Sequence, residues 1–456
     1  MLGFETIGNA TVIAYDGGPI IATDPWLGEP AYFGSWGLPF EIPEEQQKAI
    51  MAAEFLWFSH GHPDHLNPEN IEKMHGRKIL LPDHVGNRIR DALIEAGYDV
   101  TVMTDGEWIK LSDNVRVLCL SDYYQDAVLL IDFGGTLLVN INDASDKGWG
   151  RRIKRFVRDS KRSFILKLFG DGITDMMNFY DDDGHHIKPV VARKRPLGAQ
   201  VGFYADLFGV TDVVPFSSYH HFERSDSVWA NEYTRPMESF RDGYNGKATL
   251  HDAFVRYDVE TDTATQLKPK AVPVHGYDPK EFGDDWSQPF EAGDHEKAKA
   301  YFQAIECLGD GMDFIRLVAG GQELMIDTPG KKTSHKTGRG VTFEAPRNSM
   351  MAAIEHEIFD DHLLANFMKT RLHGDWETMS LHPHFTPFVA KYADNGQAKT
   401  RDEVDAYLAA YRKRAPMDSL MHVLERESER RVRKFIGVDT PAFKLMTKTY
   451  LFLKRA

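Results

Sequence analysis

The sequence predicts an α/β fold in which two mixed β-sheets pack face to face with helices outside, followed by a helical C-terminal extension. Three observations carry this expectation. Short apolar runs alternate with helix-like patterns through the first 145 residues. The chain has 456 residues, 42% of them hydrophobic, enough for one large core and an extension. Beyond Asn348 the apolar spacing turns helical. The expected organisation is an α/β body with loop-rich insertions over residues 1–345 and a helical region over residues 346–456.

The elements follow in order. Phe4 to Ala14 and Ile20 to Thr23 read as strands, separated by the hairpin signal Asp16-Gly17-Gly18. Phe55 to Phe58 is a buried strand. Asn67-Pro68-Glu69-Asn70 starts a helix, with Pro in its first turn. Lys78 to Pro82 is the next strand, and Ile89, Leu93, Ile94 and Tyr98 mark an amphipathic helix. Val115 to Leu120, Ala127 to Phe133 and Thr136 to Ile141 are three further strands, the last two joined by Gly134-Gly135.

The run Arg151, Arg152, Lys154, Arg155 and Arg158 reads as a solvated helix face, and Asp181 to His186 as an exposed loop. Residues from about 230 to 345 are rich in Asp, Pro and Gly and read as loops. Met351, Ile354, Ile358, Leu364, Phe367 and Met368 then follow helical spacing. Thr400 and Glu403 form a capping box, before an apolar face of Val404, Tyr407, Leu408 and Tyr411. Leu420, Val423 and Leu424 begin another helix, which runs into Arg426, Arg430, Arg431, Arg433 and Lys434. These last helices are expected to pack on the body or to join copies into a homo-oligomer.

Composition narrows the function classes. Lys and Arg total 54 against 68 Asp and Glu, a formal charge of −14 that argues against nucleic acid or an anionic membrane as the main partner. Cys119 and Cys307 cannot build a disulfide framework. Met1-Leu2-Gly3-Phe4-Glu5 lacks the basic region of a signal peptide, and no window is apolar enough to span a bilayer. A cytoplasmic protein acting on a small molecule is the expectation.

The chemistry concentrates in Ser59-His60-Gly61-His62-Pro63-Asp64-His65, directly after the strand ending at Phe58. A turn at a strand end points alternate side chains at one spot, so His60 and His62 are expected to share one metal ion. Asp64 and His65 then face a second. Imidazoles and a carboxylate are ligands that zinc, iron and manganese accept.

This H-x-H-x-D-H motif resembles the signature of the metallo-β-lactamase superfamily, which implies an αββα sandwich with a dinuclear metal site. The resemblance implies roles for further residues. Asp24, ending the strand before Pro25-Trp26-Leu27, would accept the free N–H of a ligand histidine and fix its tautomer. Asp143, after Val139-Asn140-Ile141-Asn142, would bridge the two metals. The late ligand would be His220, with His221 the alternative. The superfamily's histidine upstream of the bridge is replaced here by Asp122, with Asp126 the alternative. A carboxylate there gives an oxygen-richer set that favours iron or manganese over zinc.

Several segments are also similar to the catalytic part of CMP-N-acetylneuraminic acid hydroxylase. These are Asp24 to Gly28 with Pro30 to Phe33 and Trp36, Ser59 to Leu66, Pro215 to Tyr219, Glu223 to Asp226, and the helical pattern from Arg347 to Leu372. That family carries an N-terminal Rieske domain, for which two distant cysteines leave no cluster site here. The resemblance implies a diiron oxygenase that hydroxylates a polar metabolite such as a nucleotide sugar or amino sugar, with electrons from a separate reductase or ferredoxin. Asp64, Asp143 and His220 would be its catalytic ligands. The alternative is a hydrolase of an ester, lactone or phosphodiester that uses a metal-bridging hydroxide.

Overall fold

The computed structural model describes residues 1–145, 148–168, 176–193, 196–329, 338–376, 381–390, 396 and 399–424. Among them, eight strands form a first sheet, in the order Thr263–Gln266, Val255–Asp258, Leu2–Ile7, Thr11–Asp16, Gly18–Thr23, Phe55–Trp57, Lys78–Pro82 and Asp99–Met103. Seven form a second, in the order Thr249–Leu250, Asp212–Phe216, Arg162–Leu168, Thr136–Asn142, Ala127–Phe133, Val115–Ser121 and Trp108–Lys110.

Alternation along each strand builds the layer between the sheets. Phe4, Val12, Ala14, Ile21 and Trp57 of the first sheet interdigitate with Val117, Cys119, Leu129, Ile131, Phe164 and Phe216 of the second. The Phe4 and Phe164 rings meet edge to face, 5.1 Å between centroids. Neighbours in sequence point the other way, towards helices. Ile13, Ala22, Leu56 and Ile79 pack with Ile50 and Leu93, and Leu120, Val128 and Val139 pack with Ile153, Val157 and Val201. Ala127–Phe133 and Thr136–Asn142 are buried throughout for this reason. The result is the αββα sandwich of the metallo-β-lactamase fold.

The segment from about 230 to 345 is more regular than its composition suggests. It supplies the helix Asp294–Ala304 and the strands Phe314–Ala319, Gln322–Asp327 and Gly340–Glu344. These join Phe179–Tyr180 and Lys369–His373 in a third, five-stranded sheet. Lys369–His373 therefore ties residues beyond 346 to strands before it, and the helical reading of Phe367 and Met368 gives way to a strand approach. Sheet pairing outweighed local spacing there. Phe302, Phe343, Phe359 and Phe385 pack as one aromatic cluster and seat the helix Phe359–Ala365 against this sheet.

His362 on that helix is buried, and burial first, the Arg224 charge second, push its pKa down to about 3. The unfolded chain titrates near 6.5, so between those values it binds a proton that the folded state refuses. Stability is then full above about pH 6.5 and declines as pH falls towards 3. The urea midpoint is expected to drop between pH 7 and pH 5, and to drop less in His362→Asn.

The helix Arg401–Arg414 starts at the Thr400–Glu403 capping box and packs on the body rather than projecting from it. Tyr407 and Tyr411 bury against Tyr123, the Tyr407 hydroxyl donates to the Tyr123 carbonyl, and Arg414 donates to the Asp122 carbonyl at 2.7 Å. Thr400→Ala is expected to remove about 1 kcal/mol from this helix, read as roughly fivefold faster amide exchange over residues 401–414. The basic run Arg426, Arg430, Arg431, Arg433 and Lys434 lies outside the described residues. No described helix is long and apolar enough to cross a membrane.

Candidate metal centre

Strand direction gathers the site. Gly18–Thr23, Phe55–Trp57 and Lys78–Pro82 run parallel, so the loops after them leave one edge of the first sheet. They carry Asp24, Ser59 to His65, and His84. From the second sheet, Thr136–Asn142 and Asp212–Phe216 run parallel through Arg162–Leu168 and end before Asp143 and Ser217. The chain turns at these ends in the left-handed region: φ is 40° at Asp24, 49° at Asn142, 60° at Ser217 and 59° at Ser218. Such backbone costs on the order of 1–3 kcal/mol per residue, and it re-aims the loops towards one centre.

Asp24 is fully buried. Its Oδ1 accepts the Ser59 amide at 2.7 Å, its Oδ2 accepts the Asn142 side-chain amide at 3.1 Å, and Oδ2 lies 3.4 Å from His65 Nδ1. It therefore ties the motif loop to the bridge loop and faces the Nδ1 side of His65. The other nitrogen, His65 Nε2, points between two carboxylates, 3.3 Å from Asp64 and 3.4 Å from Asp143. Burial alone would lower the His65 pKa, but Asp64, Asp24 and Asp143 hold it well above the ordinary value. Asp64 in turn accepts Asn9 Nδ2 at 2.8 Å and the Tyr32 hydroxyl at 2.6 Å, and Asp143 accepts Ser217 Oγ at 3.0 Å.

His60 and His62 face one another, Nε2 to Nδ1 at 2.8 Å. Each is backed by a carboxylate on its other nitrogen: His60 Nδ1 lies 3.5 Å from Asp126, and His62 Nε2 lies 2.9 Å from Asp360. His60, His65 and Asp143 bring ligand atoms within 4.8 Å of one another, as do His62, Asp360 and Asp361. His220 stacks on Trp36, 3.4 Å between centroids and 2° between planes, and burial pushes its pKa down to about 3. A short antiparallel pair, Trp36–Gly37 with His221–Phe222, sets that stack. A Cβ on Gly37 would meet Glu223 Cγ at 2.7 Å, so glycine permits the close approach.

The described residues fit a metal centre. His65 Nε2 and both ring nitrogens of His220 are buried with no hydrogen-bond partner. Orphaned imidazole nitrogens beside carboxylates are groups that a divalent cation satisfies.

Two expected positions read differently in the structure. The Asp122 carboxylate accepts the Tyr124 and Asp126 amides on Oδ1 and the Ser145 amide and hydroxyl on Oδ2, so both oxygens are spent clamping its loop to the bridge loop. Among the described residues Asp122 belongs to none of the groups whose ligand atoms lie within 4.8 Å of one another, and Asp126 stands behind His60. His221 points elsewhere, its Nδ1 4.0 Å from Glu223. The sequence reading also missed three neighbours. Asp360 and Asp361 come from a helix far along the chain, with no local signal. His84 was legible in principle, because it follows the strand Lys78–Pro82 beside the motif strand. Its Nε2 bonds the Asp126 carbonyl at 3.1 Å, and burial pushes its pKa down to about 3.

No family model matches the chain. Over 137 residues it is 31% identical to the human protein described as inactive cytidine monophosphate-N-acetylneuraminic acid hydroxylase, a match covering 28% of this chain and 27% of that one. The match thus spans about a quarter of the length of the curated relatives. Among solved structures, CmlA, a diiron β-hydroxylase from Streptomyces venezuelae, is 15% identical with a TM-score of 0.36, covering 58% of this chain and 54% of that one. Igni18, a metallo hydrolase from Ignicoccus hospitalis, is 15% identical with a TM-score of 0.33, covering 59% of this chain and 99% of that one. Over those 137 residues the chain is similar to CMP-N-acetylneuraminic acid hydroxylase, and its two-sheet sandwich carries the H-x-H-x-D-H motif at one edge.

Proposed function

We propose that the chain is a dinuclear metal oxygenase that hydroxylates a polar metabolite. The observation that supports a two-metal site best is the unpartnered His65 Nε2 between Asp64 and Asp143. In this reading His60 and His62 would hold one metal and Asp64 and His65 the other, with Asp143 and His220 as further ligands. Iron is preferred to zinc or manganese because of the hydroxylase likeness and the carboxylates of Asp64 and Asp143. Two irons so held would supply activation of O2.

The chain's own groups do the rest. Asp24 and Asp360 fix ring orientation through the nitrogens turned away from metal. Tyr32 and Asn9 hold Asp64 in place, and Trp36 holds the plane of His220. Overall, one oxygen atom of O2 enters a substrate C–H bond and the other leaves as water. Two electrons and two protons come from a separate reductase or ferredoxin-type protein.

Metal content of anaerobically purified protein tests the reading. About two irons per chain, with O2 uptake that needs both a reductant and substrate, is the expected result. Two zincs, with turnover of an ester, lactone or phosphodiester and no need of reductant, would move the assignment to the hydrolase. Asp360→Asn is expected to weaken metal binding by roughly tenfold or more, measured by competition with a chelator, with the metal-free protein's melting temperature little changed.

A further inference from the structure

The chain carries a formal charge of −14, yet the helix Gly150–Arg158 inverts that balance: five of its nine residues are Arg or Lys and none is acidic. Ile153 and Val157 are buried against the body, and Arg152 turns aside to Asp105 at 2.9 Å. The other four cations, Arg151, Lys154, Arg155 and Arg158, follow the spacing i, i+3, i+4, i+7, which sets them on one face away from the buried pair. At about 1.5 Å per residue this stripe is roughly 10 Å long. Arg151, Arg155 and Arg158 are exposed and Lys154 is half-buried. Two acids touch it, Asp418 at 3.8 Å from Arg151 and Asp159 at 3.6 Å from Arg158. Both pairs are loose and solvent-screened, so the stripe stays net positive.

Chain direction places the stripe relative to the metal centre. Thr136–Asn142 and Arg162–Leu168 are parallel, with Thr136 opposite Arg162, so the chain leaves the metal edge after Asn142 and must return to the opposite edge before the next strand. The helix Gly150–Arg158 makes that return. Arg151 therefore lies at the end nearer the Asp143 loop, and Arg158 at the end farther from it. The approach to the helix packs on the Asp122 loop and on Arg401–Arg414: a Cβ on Gly148 would meet Tyr411 Cε2 at 3.2 Å and the Ser121 carbonyl at 3.8 Å. A partner seated on the first turn of the stripe thus stands at the same edge of the sandwich as the centre.

We propose that this stripe is the docking surface for the electron donor, and that the donor is a small acidic one-electron carrier protein. The proposal deepens the oxygenase reading and rests on it for the need of a donor. Two visits, each taking a carrier from reduced to oxidised and leaving one electron, supply the two electrons of a turnover. An extended polyanion, such as nucleic acid or an anionic bilayer, would also meet the acidic remainder of the surface and be repelled, whereas a compact acidic protein meets the stripe alone. A contact of this length suits the small, transient interfaces of electron carriers, in which complementary charge sets the encounter rate.

Docking can be read without turnover. Titrating an acidic plant-type [2Fe–2S] ferredoxin into the metal-loaded full chain by calorimetry is expected to show saturable binding, weaker by about tenfold or more in 300 mM NaCl than in 30 mM. Arg155→Glu combined with Arg158→Glu is expected to weaken binding by a similar factor at low salt, with metal content and melting temperature unchanged because both side chains are exposed. Lys268→Glu with Lys270→Glu, an exposed basic pair beyond the strand Thr263–Gln266 of the other sheet, is expected to leave it unchanged. Reversal of the stripe is also expected not to weaken binding of cytochrome c, a basic carrier. No saturable ferredoxin binding, equal binding by wild type and the Arg155→Glu, Arg158→Glu variant, or tighter stripe-dependent binding of a DNA duplex or of phosphatidylserine vesicles would overturn the proposal. Metal counted on the same samples keeps the two readings apart. Two irons without stripe-dependent ferredoxin binding sink the docking surface alone. Stripe-dependent binding by a protein that holds zinc and cleaves an ester without reductant sinks the oxygenase alone.

Discussion

His65→Ala is expected to retain at most one metal ion per chain and to lose about a thousandfold in turnover, the loss that follows when roughly 4 kcal/mol of metal-derived stabilisation is withdrawn. The ring is the point where Asp24, Asp64 and Asp143 converge, and each stands within 3.4 Å of one of its nitrogens. Without it, three buried or half-buried carboxylates face one another with no cation, and either water or protons must enter. Elemental mass spectrometry gives the stoichiometry. Asp24→Asn provides the graded comparison: it keeps the shape but loses the charge facing Nδ1, and its expected cost is tenfold to a hundredfold in metal affinity. Full metal occupancy in His65→Ala would remove this residue, and the second half of the centre, from the assignment.

Arg224→Ala is expected to destabilise the fold by about 3–5 kcal/mol, the range for stripping one partner from a buried ion pair. Arg224 is completely buried. It donates to both oxygens of Asp226 at 3.0 and 2.9 Å, to Asp284 at 2.7 Å and to the Phe33 carbonyl at 2.9 Å, and it stacks 3.8 Å from the Phe367 ring. Asp284 is itself buried and also accepts the Ser349 amide at 2.9 Å. The arginine thus joins the Tyr32–Trp36 loop, the loop after His221 and the helix Arg347–Glu355. Urea denaturation of the single variant, and of Arg224→Met with Asp284→Leu, separates two contributions. The double variant is expected to recover most of the loss, because what costs is the abandoned charge rather than the absence of a bond.

The legible part of this molecule was local. The motif from His60 to His65, Asp24 after a strand, the strands Ala127–Phe133 and Thr136–Asn142, and the Thr400 capping box each declare themselves within a few residues. What escaped depended on pairs distant in sequence. Asp122 and Asp126 differ by four positions; the amides that take Asp122 Oδ1 are local, but its Oδ2 is taken by the amide and hydroxyl of Ser145, from the next loop. The five-stranded sheet is assembled from segments between residues 179 and 373, so composition made three of its strands look like loop and helical spacing masked Lys369–His373. Asp360 sits 298 residues from the histidine it contacts, and no periodicity encodes such a meeting.

That separation sets an order of events in synthesis. The His60–His65 loop and the Asp122 loop are made first, and the carboxylate behind His62 and the helix gripping the Asp122 loop follow some three hundred residues later. At about 5–20 residues per second, the half-built cluster waits on the order of fifteen seconds to a minute for its far side. During that interval the nascent chain presents His60 and His62 without the carboxylate that backs His62.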